Sequence, residues 1–225
     1  MSDDLAHKRP WLLLSLFFGI GYMLPIVQSL PGAYLVAWKM AAAAFLVPYV
    51  LRRHNAGDFV TLGCFLALCS IGDGLIEFSL EAGGAAFGLA HIVAIWLFSR
   101  HRRLNTSVSQ KALALTIFIA TPIIAYGLAG KLPAVYALLL STMAAMAWSS
   151  NFPRYRVGIG AVLFVISDLL IFARQAGHFS DLPVADYIIW YGYYTALLLI
   201  AIGVTQTMMK RDYAPPPSGV SGSSA

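Results

Sequence analysis

Residues 59–80 read FVTLGCFLALCSIGDGLIEFSL. A bilayer core about 30 Å thick is crossed by about 20 apolar residues in helical form, and this stretch meets that length without offering a polar face to water. It nevertheless holds Asp73 and Glu77. Charged side chains cannot point at lipid without cost, so this helix must turn them toward other helices. The remainder of the 225-residue chain has the same character, with 59% hydrophobic and 11% charged residues and a mean hydropathy of +0.74. Too little polar surface remains to clothe a water-soluble globule, and lipid must be the solvent for most of the chain.

Cutting at charged and Pro/Gly-rich gaps gives runs at 11–30, 33–51, 59–80, 84–99, 111–129, 132–149, 157–173 and 185–207. The expected fold is therefore all-α, a polytopic membrane bundle of about eight transmembrane helices. Its expected division is an N-terminal segment 1–10, a membrane domain 11–207 and a tail 208–225, whose run from Tyr213 is too rich in Pro, Ser and Gly to bury a core. The first run follows His7-Lys8-Arg9 but is long for a signal peptide and lacks a small-residue cleavage site.

Of 15 Lys and Arg, 12 fall in gaps on one side of such a bundle, only Lys131 and Arg174 fall on the other, and Lys39 lies inside a span. By the positive-inside rule both termini and the 100–111 loop are cytoplasmic, in a bacterial inner membrane or an intracellular membrane. The net charge of +5 is scattered through these short gaps, so nucleic acid is not an expected partner. Cys64 and Cys69 share one run at a spacing that fits neither a disulfide framework nor a zinc site.

Lys39, Asp73, Glu77, His91 and Asp168 all fall within runs. Each charged group costs about 2.5 to 3.5 kcal/mol at the centre of a span, so the set must face the interior. At about 1.5 Å per residue, Lys39, Asp73, His91 and Asp168 sit about 7 to 11 Å below the non-cytoplasmic ends of their runs, Tyr191 at a similar depth and Tyr194 about one turn deeper. Helices running in alternating directions thus bring polar groups to one layer, the mark of a shared pocket. Ser70, Asp73 and Glu77 fall on one helical stripe, and Gly84 and Gly88 form a Gly-x-x-x-Gly pair that predicts close helix packing beside His91. Tyr187, Trp190, Tyr191 and Tyr194 form an aromatic stripe that suits either a lipid pocket or an interfacial belt.

Lys39 reads either as the counter-ion of Asp73 or Asp168 or as a phosphate holder, and Glu77, near the boundary, reads as solvated. With His91 the one histidine within a span, a zinc-type hydrolase is disfavoured, and neither metal nor cofactor is expected. The same carboxylates would also suit a proton- or lipid-coupled transporter. Against that stands the absence of an internal repeat or of paired Gly/Pro-broken runs.

Ser70-Ile71-Gly72-Asp73, the following Gly-x-x-x-Gly with His91, and the segment from Gly160 to Ser167-Asp168 together resemble the lysoplasmalogenase-like family, called YhhN in bacteria. Lys39 and the Tyr193-Tyr194 pair fit the same pattern. The chain departs from it at Met40, where the family usually has Pro, at Ala196 and Leu197, where Gln is common, and at Ala94, where an aromatic is expected. The resemblance implies hydrolysis of the vinyl-ether bond of a lysophospholipid substrate drawn from the membrane, giving a fatty aldehyde and a glycerophospho-base. Asp73 and Asp168 would be the catalytic acid and anion, with Lys39, His91, Glu77, Ser167, Tyr191 and Tyr194 in support. Two carboxyl groups in a low-dielectric pocket suit such chemistry, because like charges at close quarters share a proton. Oligomeric state is left open by these residues.

Overall fold

The structure is a computed structural model that describes residues 9–52, 57–179 and 182–212. The expected segment before Arg9, the tail from Tyr213 and the basic side chains of Lys8 and Arg53 lie outside the described residues. Among those described, the regular elements are helices, with one isolated bridge between Arg102 and Ser150. We number them α1 (Arg9–Gly21), α2 (Pro25–Gln28), α3 (Gly32–Ala44), α4 (Leu46–Leu51), α5 (Gly57–Leu75), α6 (Leu80–Arg100), α7 (Val108–Ala129), α8 (Lys131–Trp148), α9 (Ile159–Gln175) and α10 (Val184–Asp212). A π-helical turn, Arg154–Gly158, leads into α9. The chain is an integral membrane protein: seven segments are long and apolar enough to cross a bilayer, α3 and α4 together forming one of them, and Pro10–Gly21 is a shorter apolar helix.

Local chemistry sets the element ends. Pro48 lacks an N–H and its ring crowds the carbonyl of Ala44, and it is there, at Phe45, that α3 gives way to α4. Ser79 caps α6 by accepting from the Ala82 N–H at 3.2 Å. Ser107 and Gln110 form a reciprocal capping box at the start of α7. The last helix continues past Thr207 to Asp212, carrying Lys210 and Arg211 in its final turn.

Sequential helices pack as antiparallel neighbours, α5 on α6, α7 on α8 and α9 on α10, while α10 also touches α1, α3, α4 and α5. That central position gathers every site-bearing helix around α10 or its neighbours. The alternating directions put Arg52, Arg100, Arg102, Arg103, Arg154 and Arg211 at one face, and Lys131 and Arg174 at the other.

Two sequence expectations about α5 and α6 need correction. The run 59–80 is not one helix: α5 stops at Leu75, and the Phe78 and Ser79 N–H groups both return to the Leu75 carbonyl, at 3.0 and 2.9 Å. Glu77 therefore stands on a turn and does not continue a stripe with Ser70 and Asp73. Counted from observed helix ends, Asp73 is about 3 Å from its end and His91 about 16 Å from its own, so the polar groups are stepped in depth.

The second correction concerns glycine. Gly84 and Gly88 do not make the close helix contact: a Cβ at Gly84 would meet nothing within 4 Å, and one at Gly88 only the Leu139 side chain at 3.6 Å. The tight approach is at Gly83, where a Cβ would fall 2.7 Å from the Cα of Ile76. The turn after α5 is thus folded directly onto the first turn of α6. Gly83→Ala is expected to lower the thermal unfolding midpoint in detergent, reflecting an overpacking cost of about 1 to 3 kcal/mol. Gly84→Ala, with open space and better helix propensity, should hold or raise it. A Gly83→Ala protein as stable as wild type would show that this contact does not fix the turn.

Candidate active site

A cavity of about 940 Å³ opens among the helix ends on the face away from the arginine-rich loops. It lies within the size range of small-molecule and lipid sites. Its rim is made by Gln28, Glu81, Leu132, Pro183 and Asp186, and its inner wall includes Lys39, Asp73, Gly88, Tyr136, Ser167, Asp168 and Tyr193. Gly84 and Gly88 lie along it, so the absence of two side chains makes room there. Leu89, Ile92, Leu132 and Val135 line the cavity and are also exposed on the outer surface, which leaves the space between α6 and α8 flanked by lipid-facing side chains.

Both sequence-predicted carboxylates line this cavity, and each is held by a tyrosine from another helix. Tyr193 on α10 donates to Asp73 Oδ2 at 2.8 Å. Tyr136 on α8 donates to Asp168 Oδ2 at 2.5 Å. Asp73, Asp168 and Tyr193 are buried. A carboxyl group at this depth must find donors within the protein, and each phenol engages one oxygen while the other is left for a ligand or water.

His91 stands behind Tyr136, its Nε2 3.0 Å from the phenol oxygen. A phenol has one hydrogen, and Tyr136 gives it to Asp168. Nε2 must then carry the hydrogen that bridges to Tyr136, which assigns the Nε2–H tautomer from the hydrogen-bond network. Nδ1 is buried with no hydrogen-bond partner among the described residues. His91 is fully buried and absent from the cavity wall, and its hydrogen bond to the site, among the described residues, runs through Tyr136. Phe164 packs edge-on to both His91 and Tyr193, at ring distances of 5.1 and 5.2 Å, and Phe87 packs edge-on to Tyr193 at 5.8 Å. These contacts leave the imidazole and the phenol little freedom to turn.

Lys39 pairs with Glu77 at 2.5 Å rather than with either aspartate, the two side chains being 16% and 36% exposed. Glu77 is thus an ion-paired member of the cavity wall rather than simply solvated. The Lys39 ammonium also lies 5.9 Å from the centre of the Tyr22 ring. Ser167 reaches the cavity, but its hydroxyl donates to the Ile189 carbonyl at 2.9 Å and ties α9 to α10.

Tyr191 and Tyr194 lie elsewhere. The Tyr191 hydroxyl donates to the Ile20 carbonyl at 3.0 Å, and the Tyr194 hydroxyl is 2.9 Å from Ser15, whose own proton goes to the Ala42 carbonyl. Tyr194 must therefore donate to Ser15. Its ring also packs where a Gly19 Cβ would otherwise be. Both residues fasten α10 to α1, because a step of about 100° per residue carries them off the face that Tyr193 presents to Asp73. Among the described residues, no group of three or more His, Cys, Asp or Glu is placed to hold a metal ion.

Sequence reasoning missed Tyr136 and undervalued Tyr193. A tyrosine a few residues from the start of a span reads as an interfacial anchor, and nothing in the 131–148 stretch marks Tyr136 as a partner of α9. The usable signal was the unsatisfied Asp168, which needs a donor that its own helix does not supply.

Comparison with known proteins now bears on these residues. The model of the YhhN family matches residues 34–204, a stretch that includes both aspartates, both tyrosines, Lys39, Glu77 and His91. The chain is also 32% identical over 217 residues to a Sus scrofa protein named lysoplasmalogenase TMEM86B, covering 92% of this chain and 91% of that protein. No solved structure matches the chain. With the family model spanning most of its length and a relative matched nearly end to end, the chain belongs to the YhhN family.

Proposed function

We propose that this protein hydrolyses the vinyl-ether bond of lysoplasmalogens, releasing a fatty aldehyde and a glycerophospho-base, with Asp73 and Asp168 as the catalytic pair. The observation that supports it most directly is that two buried carboxyl groups, each with a tyrosine on one oxygen, line one amphipathic cavity beside lipid-facing side chains. The similarity to a protein named lysoplasmalogenase supports the choice of substrate.

An enol ether is hydrolysed by protonation of its β-carbon, which moves the double-bond electrons and leaves an oxocarbenium ion. Water adds to the cationic carbon and loses a proton, and the resulting hemiacetal collapses to aldehyde and alcohol. The net change is the addition of one water, with no oxidant or reductant. One carboxyl group delivers the first proton, and the other, as an anion, stabilises the cation and receives the proton from water. Tyr193 and Tyr136 each occupy Oδ2, so the proton is exchanged at Oδ1. The alkenyl chain lies along Leu139, Val135 and Ile92, and enters between α6 and α8 without passing through water.

Asp73→Asn and Asp168→Asn keep shape and most hydrogen bonding but cannot exchange the proton. Each purified variant should remain folded and lose at least about 10²-fold in aldehyde release from a vinyl-ether lysolipid, and the double variant should lose little more than either single. Near wild-type turnover by either would remove that residue from the chemistry.

Tyr136→Phe removes the donor to Asp168 and strands the His91 Nε2–H. It should lower kcat about tenfold with little change in KM, and cost about 1 to 3 kcal/mol of stability from the unpaired buried donor. Adding His91→Phe should recover part of the stability and none of the rate. Equal recovery of both would mean that Tyr136 acts on packing alone.

Activity is expected to survive extended treatment with a chelator, because among the described residues no group of three or more His, Cys, Asp or Glu is placed to hold a metal ion. Loss on chelation with restoration by zinc would require a different mechanism.

A further inference from the structure

The charge arrangement at the cavity mouth deepens this reading and rests on it. Among the described residues lining the cavity, Lys39 is the one cation, against the carboxyl groups of Asp73, Glu77, Glu81, Asp168 and Asp186. Asp186 is engaged by Arg174, which lies outside the lining. Glu77 is engaged by Lys39. A phosphate entering this cavity has one cation to bind, and that cation is already paired.

Binding a phosphate on Lys39 therefore displaces Glu77, whose carboxylate would be left partly desolvated without a counter-charge. A headgroup that brings only negative charge makes that exchange unfavourable twice, by orphaning Glu77 and by adding an anion to a wall already rich in carboxylates. A headgroup with its own ammonium makes the exchange nearly even: phosphate replaces Glu77 on Lys39, and the ammonium replaces Lys39 on Glu77. Aromatic faces stand ready beside the pair, with the Tyr22 ring below Lys39 and Trp190 packed on Tyr22 at 4.3 Å. Glu81, exposed on the rim at the first turn of α6, adds a second carboxylate for the same group.

We infer that the Lys39–Glu77 ion pair is the headgroup receptor of this cavity, opening so that Lys39 takes the phosphate and Glu77 the amine of a zwitterionic lysophospholipid. Glu77 is on this account a specificity-determining residue that selects amine-bearing phosphodiesters over net-anionic headgroups.

The test measures binding of non-cleavable alkyl-ether lysolipids to the purified full chain in detergent, comparing ethanolamine and choline headgroups with phosphoglycerol. Vinyl-ether lipids with the same headgroups are run in parallel for aldehyde release. Wild type should bind the amine headgroups at least about tenfold more tightly than phosphoglycerol. Glu77→Gln should weaken the amine headgroups roughly five- to tenfold and leave phosphoglycerol unchanged or tighter, collapsing the preference. Glu77→Asp should restore part of it. Lys39→Gln should weaken every phosphate-bearing ligand. Helical circular dichroism and the unfolding midpoint establish that each variant is folded. The proposal is overturned if wild type shows no headgroup preference, or if Glu77→Gln weakens all headgroups equally. Absence of aldehyde release with the headgroup selectivity intact would instead overturn the proposed reaction and leave the receptor standing.

Discussion

A carboxyl group placed among lipid-embedded helices has no bulk water around it and must take donors from its neighbours, and most of the interior of this bundle follows from that single constraint. Asp73 lies near the end of α5 and Asp168 at the middle of α9, and neither helix can satisfy them, since their own backbone N–H groups are spent on helical bonds. The donors come from Tyr193 on α10 and Tyr136 on α8. Each hydrogen bond therefore fixes the rotation and depth of two helices at once. Tyr136 then needs a partner for its own oxygen, which His91 of α6 provides. Three hydrogen bonds thus tie together five helices, and all of them converge on the cavity.

The packing that holds this arrangement cannot draw on the hydrophobic effect between helices, because the lipid tails are as apolar as the side chains. It relies on close fit. Gly19 accepts the Tyr194 ring, Gly72 accepts Phe87 at 2.8 Å from where a Cβ would stand, and Gly83 accepts the backbone of Ile76. The aromatic groups seated on these glycines are neighbours of the site. Phe87 braces Tyr193, which holds Asp73, and Tyr194 stacks on Trp190 while bonding Ser15. Small residues and rings therefore transmit position to the carboxyl groups without adding polar atoms that the interior would have to satisfy.

How much of this could be read from the chain depended on the kind of signal. Seven spans were legible because lipid imposes a length and a hydropathy on each, and Arg and Lys mark the gaps, whereas the first run, 11–30, divides into α1 and the short α2. Asp73 and Asp168 were legible because a carboxyl group in an apolar run is costly wherever it points. The end of α5 at Leu75 was not, since Ile76 and Phe78 keep the turn as apolar as the helix. Gly84 and Gly88 were misleading for a related reason: a missing side chain permits either a close helix or an empty space, and only the neighbouring helix decides which. Tyr191 and Tyr194 are only two positions and one position from Tyr193 in sequence, yet they present another face of the helix. The aromatic stripe announced that something on α10 mattered, while rotation chose Tyr193 for the site and the other two for α1. Tyr136 had no local mark at all, being needed only because of a residue on another helix.

The stepped depth of the polar groups has a consequence for where chemistry is feasible. Lys39 and Glu77 meet close to one face, Asp73 lies about two residues inside the end of α5, and His91 is about two turns deeper behind Tyr136. An amphiphile whose charged group rests on the Lys39–Glu77 pair would hold the first atoms of its chain, not the middle or the end, against the aspartates. In a lysolipid those first atoms include the bond between glycerol oxygen and hydrocarbon. On the proposed reading water would reach the same level from the rim, while the tail would lie among Leu139, Ile92 and Val135, where water has nothing to bond. The placement of both carboxyl groups on a cavity that opens at one face would thus reconcile two demands that conflict elsewhere in a membrane, a dry environment for the chain and a water molecule for hydrolysis. A reaction at a bond deeper in the tail would need a polar path through the bundle core, and the residues there, Leu62, Phe65, Leu66 and Leu140, are buried and apolar.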